Sequence, residues 1–269
     1  GKLKSDERFA LRLELLKKEL VNTALRIRSH FLGSRARAFL SEQDFSGYAV
    51  DTEFGEVEIT GKIDRIDVAD GYFRVVDYKS SFTGFSLKDF TGGVSIQLPL
   101  YIRAAQRLLE ARGENLKPAG GYYMRIGDAY KASEREVARD SRLTGLSLRD
   151  AEALSALSAV NEDGSFVAID QALKISGELK SSARHFDECE LRRLTEYTDE
   201  LIRRAAEGMY SGDNAINPIV GTSGADVCDY CAYGSVCMMD PGYEGNASQQ
   251  IGEAQALFLR EEGGAADVE

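Results

Sequence analysis

Val57-Glu-Ile-Thr-Gly-Lys-Ile-Asp-Arg-Ile-Asp-Val-Ala69 and Tyr72-Phe-Arg-Val-Val-Asp-Tyr-Lys79 are two β-rich runs separated only by Asp70-Gly71. Asp-Gly in that position signals a two-residue hairpin turn, because both turn residues must take positive φ. With Ala69 facing Tyr72, counting outward sets Asp64 directly opposite Asp77. Side chains alternate faces along a strand, so the two aspartates and Lys79 share one face. Directly opposed Cβ atoms lie about 4.5–5.5 Å apart, and like charges at that distance destabilise a hairpin. A divalent metal reverses the sign: Mg²⁺ takes hard oxygen ligands, often one or two carboxylates together with a substrate phosphate. Lys79 would then steady the attacking water or the charge that develops on the phosphate. The competing reading is a solvated hairpin whose acids merely face water. On the other face, Asp67 opposite Arg74 reads as such an ordinary cross-strand pair, and Tyr78 as core packing.

Outward from the hairpin, the 269 residues suffice for one sizeable core with a small appendage. Apolar content of 43% and charged content of 29% are those of a globular protein. No apolar run approaches the ~18 residues of a membrane span, and no signal peptide is visible. The chain starts Gly1-Lys-Leu-Lys without Met, which reads as a piece excised from a longer protein. The net charge of −11 speaks mildly against non-specific nucleic-acid binding, which rests on basic patches, unless a partner supplies the basic track. Four cysteines and two histidines point to a reducing compartment, the cytoplasm.

The pattern predicts an amphipathic helix over 5–31, with Phe9, Leu13, Leu16, Leu20, Leu25 and Ile27 near helical spacing. A short helix is expected at 34–40, then strand and loop over 44–59. A Gly/Ser/Thr-rich loop, 80–93, follows the hairpin. A helix is predicted over 94–112, with Pro99 in its first turn. A Tyr-rich strand is expected over 120–126, with 130–139 as its partner. A helix over 146–160 capped by Ser147, a short strand at 166–169 and a strongly amphipathic helix over 187–209 complete the main body. A last helix near 248–260 would run into an acidic tail. The expected units are 1–210, a cysteine-bearing segment 211–245, and a C-terminal helix and tail 246–269.

Gln97 and Tyr101 are four apart on a predicted helix, hence on one face. Cys228-x₂-Cys231-x₅-Cys237 has metal-type spacing, although zinc would want a fourth Cys or His nearby and none follows. Gly61-Lys-Ile-Asp-Arg-Ile-Asp67, then Val75-Val-Asp-Tyr-Lys-Ser80, then Gln97-Leu-Pro-Leu-Tyr101 resembles the PD-(D/E)XK nucleases of the RecB type, and among them the AddB-type nuclease domains. The resemblance continues through Thr144-Gly-Leu-Ser-Leu-Arg-Asp150 to the cysteine block, so it covers nearly the whole chain.

That resemblance implies an α/β fold with a restriction-endonuclease-like core, a small mixed sheet flanked by helices, and a C-terminal cysteine-bearing extension. It implies metal-dependent hydrolysis of DNA as an exonuclease during double-strand-break repair, in company with an AddA-like helicase–nuclease subunit. Asp64 and Asp77 would bind Mg²⁺ or Mn²⁺, Lys79 would assist the attacking water, and Gln97 and Tyr101 would contact DNA or order the lysine. Cys228, Cys231 and Cys237 would hold three corners of a [4Fe–4S] cluster whose fourth cysteine lies far upstream in such nucleases. No upstream cysteine is present here, and Cys189, expected mid-helix at a core position, is read as structural. The family's metal-binding His also lies upstream, so His30 and His185 are both read as surface histidines. Glu42 resembles an acid that precedes the hairpin; an added metal contact and a solvated loop acid remain equal readings. The alternatives to an active nuclease domain are a catalytically silent DNA- or helicase-binding domain and a stand-alone CRISPR-adaptation-type nuclease.

Overall fold

The computed structural model describes residues 7–80, 84–126, 133, 141–180, 184–221, 228, 231–239 and 249–250. Helix α1 (Glu7–Gly33) leads into a long bent strand, β1 (Arg37–Thr52), which turns into β2 (Gly55–Ala69) and then β3 (Tyr72–Lys79). A short helix, α2 (Leu87–Thr91), and α3 (Gln97–Ala111) carry the chain across to β4 (Lys117–Arg125). There follow β5 (Thr144–Leu148), α4 (Ala151–Leu157), the two-residue β6 (His185–Phe186) and α5 (Glu188–Ser211). The strands form one six-stranded sheet in sequence order, β1 to β6. The β3–β4 and β5–β6 pairs are parallel and the others antiparallel, so the sheet is mixed. Beyond it, β7 (Ile219–Val220) pairs with β8 (Gln249–Gln250), and α6 (Gly234–Cys237) lies between them in sequence. Among the described residues, no helix is long and apolar enough to cross a membrane.

The hairpin forms in the expected register, Ala69 facing Tyr72, with Asp70 at φ 44° and Gly71 at φ 85° in the turn. Strand β3 lies mid-sheet, and Phe73 through Asp77 are buried in an unbroken run. This is the pattern of a strand covered on both faces. Helix α3 covers one face: Leu98, Ile102, Ala105 and Leu109 are buried, and Ile102 and Val75 both close over Gly121. Pro99 sits in its first turn, where a missing N–H costs no intrahelical bond. Helix α5 packs on α3 and β1, opened by a capping box between Asp187 and Glu190 and closed by Gly212 in the left-handed region. The other face is covered by α4 and by the C-terminal part of α1.

Several sequence expectations need correction. Residues 37–40 are strand, not helix, because they continue the β1 ladder onto Leu40↔Ile66. Residues 144–148 are also strand: Leu146 and Leu148 are pinned between β4 and β6, and the helix starts later, capped by Asp150 rather than Ser147. The 80–93 loop contains α2, with Phe85 and Phe90 in the core. Residues 166–169 make only isolated bridges, Val160↔Phe166 and Leu143↔Ile169. The expected strand partner at 130–139 and the helix at 248–260 lie outside the described residues, except Ser133 and the strand Gln249–Gln250. Helix α1 is present, but Phe9, Leu13, Leu16, Leu20 and Leu25 are exposed, and it docks through Arg26, Ile27 and His30.

Candidate active site

The site forms where the hairpin comes apart. The last β2–β3 ladder pair is Arg65 with Val76. Beyond it, β2 stays with β1, while β3 follows β4 through Asp77↔Tyr123 and Lys79↔Arg125. Asp64 and Asp77 are the first opposed residues past that parting. The freed backbone N–H of Tyr78 donates to Asp64 Oδ2 at 2.8 Å, taking a carboxylate where the ladder would have offered a carbonyl. Gly61 lets the outer part of β2 pack closely: a Cβ there would lie 2.8 Å from the Phe45 ring, which meets Tyr101 edge-on at 6.3 Å.

Asp77 is 4% exposed. Its Oδ1 accepts from Gln97 Nε2 at 2.9 Å, and its Oδ2 lies 2.7 Å from Lys79 Nζ. Lys79 Nζ also donates to Gln97 Oε1 at 2.7 Å, and Gln97 Nε2 lies 3.1 Å from Tyr101 Oη. One amide, at the first turn of α3, thus holds both an acid and a lysine of β3. Burial pushes the Asp77 carboxyl above its ordinary range; the hydrogen bond and charge of Lys79 oppose this, and the Asp64 charge adds to it. Lys79 sits on Asp77, while Asp64 accepts from the Tyr78 backbone N–H. The donors are hard carboxylate oxygens, which suit Mg²⁺ or Mn²⁺ and not a soft metal. Among the described residues, no third His, Cys, Asp or Glu gathers with such a pair.

Sequence reasoning missed Tyr123. Its buried ring lies 5.5 Å from Lys79 Nζ, and burial pushes its hydroxyl up to about 12, so it is a neutral phenol, hydrogen-bonded to Ser95. The parallel register beside Asp77 brings it here, and no local pattern announces that register.

The rear face of the hairpin differs from expectation. Asp67 is fully buried with Arg74 Nε at 2.9 Å and Arg65 Nη2 at 3.1 Å. Burial alone would raise the Asp67 carboxyl; Arg74 and Arg65 more than reverse this and hold it low. His30 is not a surface histidine. It is 0% exposed, with Nε2 3.0 Å from Arg74 Nη2 and 3.2 Å from Arg65 Nη2. Burial and the two guanidiniums lower it to about 3, so it is neutral and accepts. His185 is half-buried against Gln171 Nε2 at 2.9 Å, and burial, with Arg184 and Arg149, lowers it to about 4. Tyr78 does pack on this face, with a hydrogen bond from Arg65 to its hydroxyl.

A family profile described as the PD-(D/E)XK nuclease superfamily matches residues 3–238. The chain belongs to that superfamily. It is 30% identical, over 98% of its own length, to an ATP-dependent helicase/deoxyribonuclease subunit of Clostridium novyi (strain NT), of which the match covers 25%. It is 32% identical over 73% of its length to the subunit of the same name from Desulforudis audaxviator (strain MP104C), covering 18% of it. The Caldanaerobacter subterraneus subsp. tengcongensis subunit is 27% identical over 93% of the chain and 23% of the relative. The chain thus spans about a quarter or less of the curated relatives it matches.

The superfamily match extends into the cysteine block. Cys228, Cys231 and Cys237 are exposed; the Cys231 N–H reaches Cys228 O at 3.2 Å, and Tyr233 N–H reaches Cys231 Sγ at 3.4 Å. Their thiols are not gathered into a metal-sized group. Cys189 is exposed in the first turn of α5, not buried in mid-helix, because Asp187 caps the helix two residues before it. Glu42 lies on β1 between the pairs Ser41↔Arg65 and Gln43↔Ile63, alongside Asp64, but its exposed carboxylate lies 3.7 Å from Lys62 Nζ.

Proposed function

We propose that this chain is the nuclease region of an AddB-type helicase/deoxyribonuclease subunit, hydrolysing DNA phosphodiester bonds as an exonuclease in double-strand-break repair. An AddA-like helicase–nuclease subunit is its partner, and the cytoplasm its compartment. Asp64 and Asp77 are the carboxylates that hold a Mg²⁺ or Mn²⁺ ion. The opposed pair at the hairpin's parting, with Lys79 on one member, is the observation that carries the reading. The ion supplies Lewis acidity toward the phosphate and a water of lowered pKa.

The chain's own residues do the rest. Lys79 holds the attacking water and answers the charge that grows on the phosphate. Gln97 fixes Asp77 and Lys79 relative to each other through the two ends of its amide, and Tyr101 fixes Gln97. Tyr123 keeps the ammonium at the site through its ring face. The test is Asp77→Ala in the full-length protein. DNA cleavage falls to background while ATP-driven unwinding by the partnered complex persists, because the change is local. Cleavage at the wild-type rate refutes the assignment.

The cysteine block supports one addition. Three thiolates at x₂ and x₅ spacing suit iron–sulfur ligation, and the amide hydrogen bond to Cys231 Sγ is of a kind that tunes cluster sulfurs. The support is spacing and not convergence of the thiols, and three thiolates leave a [4Fe–4S] cluster one ligand short. Iron and sulfide per chain after anaerobic purification of the full-length protein decide it: about four of each support the cluster, and neither above background removes it.

A further inference from the structure

On the rear of the hairpin, one contact bridges the gap that opens beneath the two acids. Arg65 follows Asp64 in the chain and Tyr78 follows Asp77, so both project to the face opposite the site. There Arg65 Nη1 donates to Tyr78 Oη at 2.6 Å, just past the last ladder pair. Arg65 is 2% exposed and is itself fixed, with Nε 2.8 Å from Asp67 Oδ1 and Nη2 3.1 Å from Asp67 Oδ2. A planar guanidinium held at several donors is a rigid anchor. Tyr78 in turn gives its backbone N–H to Asp64 Oδ2. The path closes on itself: Asp64 leads by the chain to Arg65, Arg65 holds Tyr78, and Tyr78 orients the Asp64 carboxylate. No backbone pairing between β2 and β3 does this work at that point.

We propose that the Arg65–Tyr78 contact is a clasp that sets the separation of the Asp64 and Asp77 carboxylates, and with it the affinity of the site for a divalent cation. This rests on the reading of those two acids as the ion's ligands. Tyr78 is a positioning residue. It holds the amide that aims Asp64 and fixes how far β3 stands from β2 where the cation would bridge them. Groups that support metal ligands in this way change affinity about 10- to 100-fold when removed.

The test is Mn²⁺ binding, followed by the loss of the free-ion electron-spin signal, together with thermal midpoints. The full-length wild type, Asp64→Asn and Tyr78→Phe are compared. Asp64→Asn should lose one Mn²⁺ site. Tyr78→Phe keeps the ring and drops the hydroxyl; it should keep that site with about 10-fold weaker affinity while folding cooperatively. Arg65→Lys keeps a charge beside Asp67 but has no planar fork to reach Tyr78 as well, and should weaken the same site. A purely structural Tyr78 would lower the midpoint and leave Mn²⁺ affinity unchanged, and wild-type affinity in either folded variant overturns the clasp. Unchanged Mn²⁺ binding in Asp64→Asn overturns the site reading itself, and the clasp falls with it.

Discussion

The two faces of the β2–β3 hairpin carry the same residue types in opposite states. On the rear face one buried aspartate, Asp67, sits between two arginines, and a neutral histidine accepts from both. On the front face two aspartates share one lysine, which lies on Asp77 and leaves Asp64 with a backbone amide. In the rear cluster the buried carboxylate of Asp67 is ion-paired with both Arg65 and Arg74, as a buried charge must be. The front pair has Lys79 on one member and lies where the strands part. Buried, ion-paired charge marks the part of the hairpin that holds the fold. The opposed acids of the front face are the part that we propose is kept for a cation.

Breaking the rear cluster should cost fold first, and reach the chemistry only through the Arg65–Tyr78 contact. Asp67→Ala leaves Arg65 and Arg74 buried without their counter-charge, and urea unfolding should show a loss of about 3–5 kcal/mol. A loss below about 1 kcal/mol would mean that the cluster is not what holds α1 and the hairpin together.

Changes on the front face should behave in the opposite way. Lys79→Ala should lower DNA cleavage on the order of 10²- to 10³-fold, as removal of a group that stabilises transition-state charge does. Its unfolding midpoint in urea should move little, because Lys79 is partly exposed. Mn²⁺ binding should persist, since the lysine leaves both carboxylates in place. Gln97→Ala is expected to act more weakly, lowering cleavage about 10- to 100-fold and raising the metal concentration at half-maximal rate, because it supports a ligand without being one. An unchanged metal requirement in Gln97→Ala would remove it from the site.

A pH dependence of stability comes from the rear face. His30 has a folded value near 3 against 6.5 unfolded, so the unfolded chain takes up a proton that the folded chain refuses. Its contribution is intact above pH 6.5 and is lost progressively as pH falls toward 3. Between pH 7 and 5 this should cost about 2 kcal/mol of unfolding free energy. Chemical denaturation at the two pH values measures it, and His30→Asn should flatten the difference.

The front face was legible in the sequence where the parts that build it are local. Asp70-Gly71 fixes the turn, alternation fixes the face, and a one-turn spacing brings Gln97 next to Tyr101. The rest depends on distant pairing. His30 is buried only because α1 docks its C-terminal part over Arg65 and Arg74, and a helix pattern cannot say which of its turns will be covered. Tyr123 reaches Lys79 through a parallel crossover register. Residues 144–148 follow sheet pairing over the helical periodicity that runs into α4, so the expected helix began too early. Cys189 is expected mid-helix at a core position, but the Asp187 cap puts it in the exposed first turn of α5.

Everything proposed for the front face turns on a divalent cation held by Asp64 and Asp77, on which DNA cleavage depends. The most direct measurement is cleavage of end-labelled DNA by the full-length protein after chelation, as Mg²⁺ or Mn²⁺ is titrated back, with Asp77→Ala alongside. Chelation should stop the wild type, either ion should restore it, and Asp77→Ala should stay inactive at every metal concentration. Cleavage that survives chelation, or that metal restores in Asp77→Ala to the wild-type rate, would contradict the two-aspartate site.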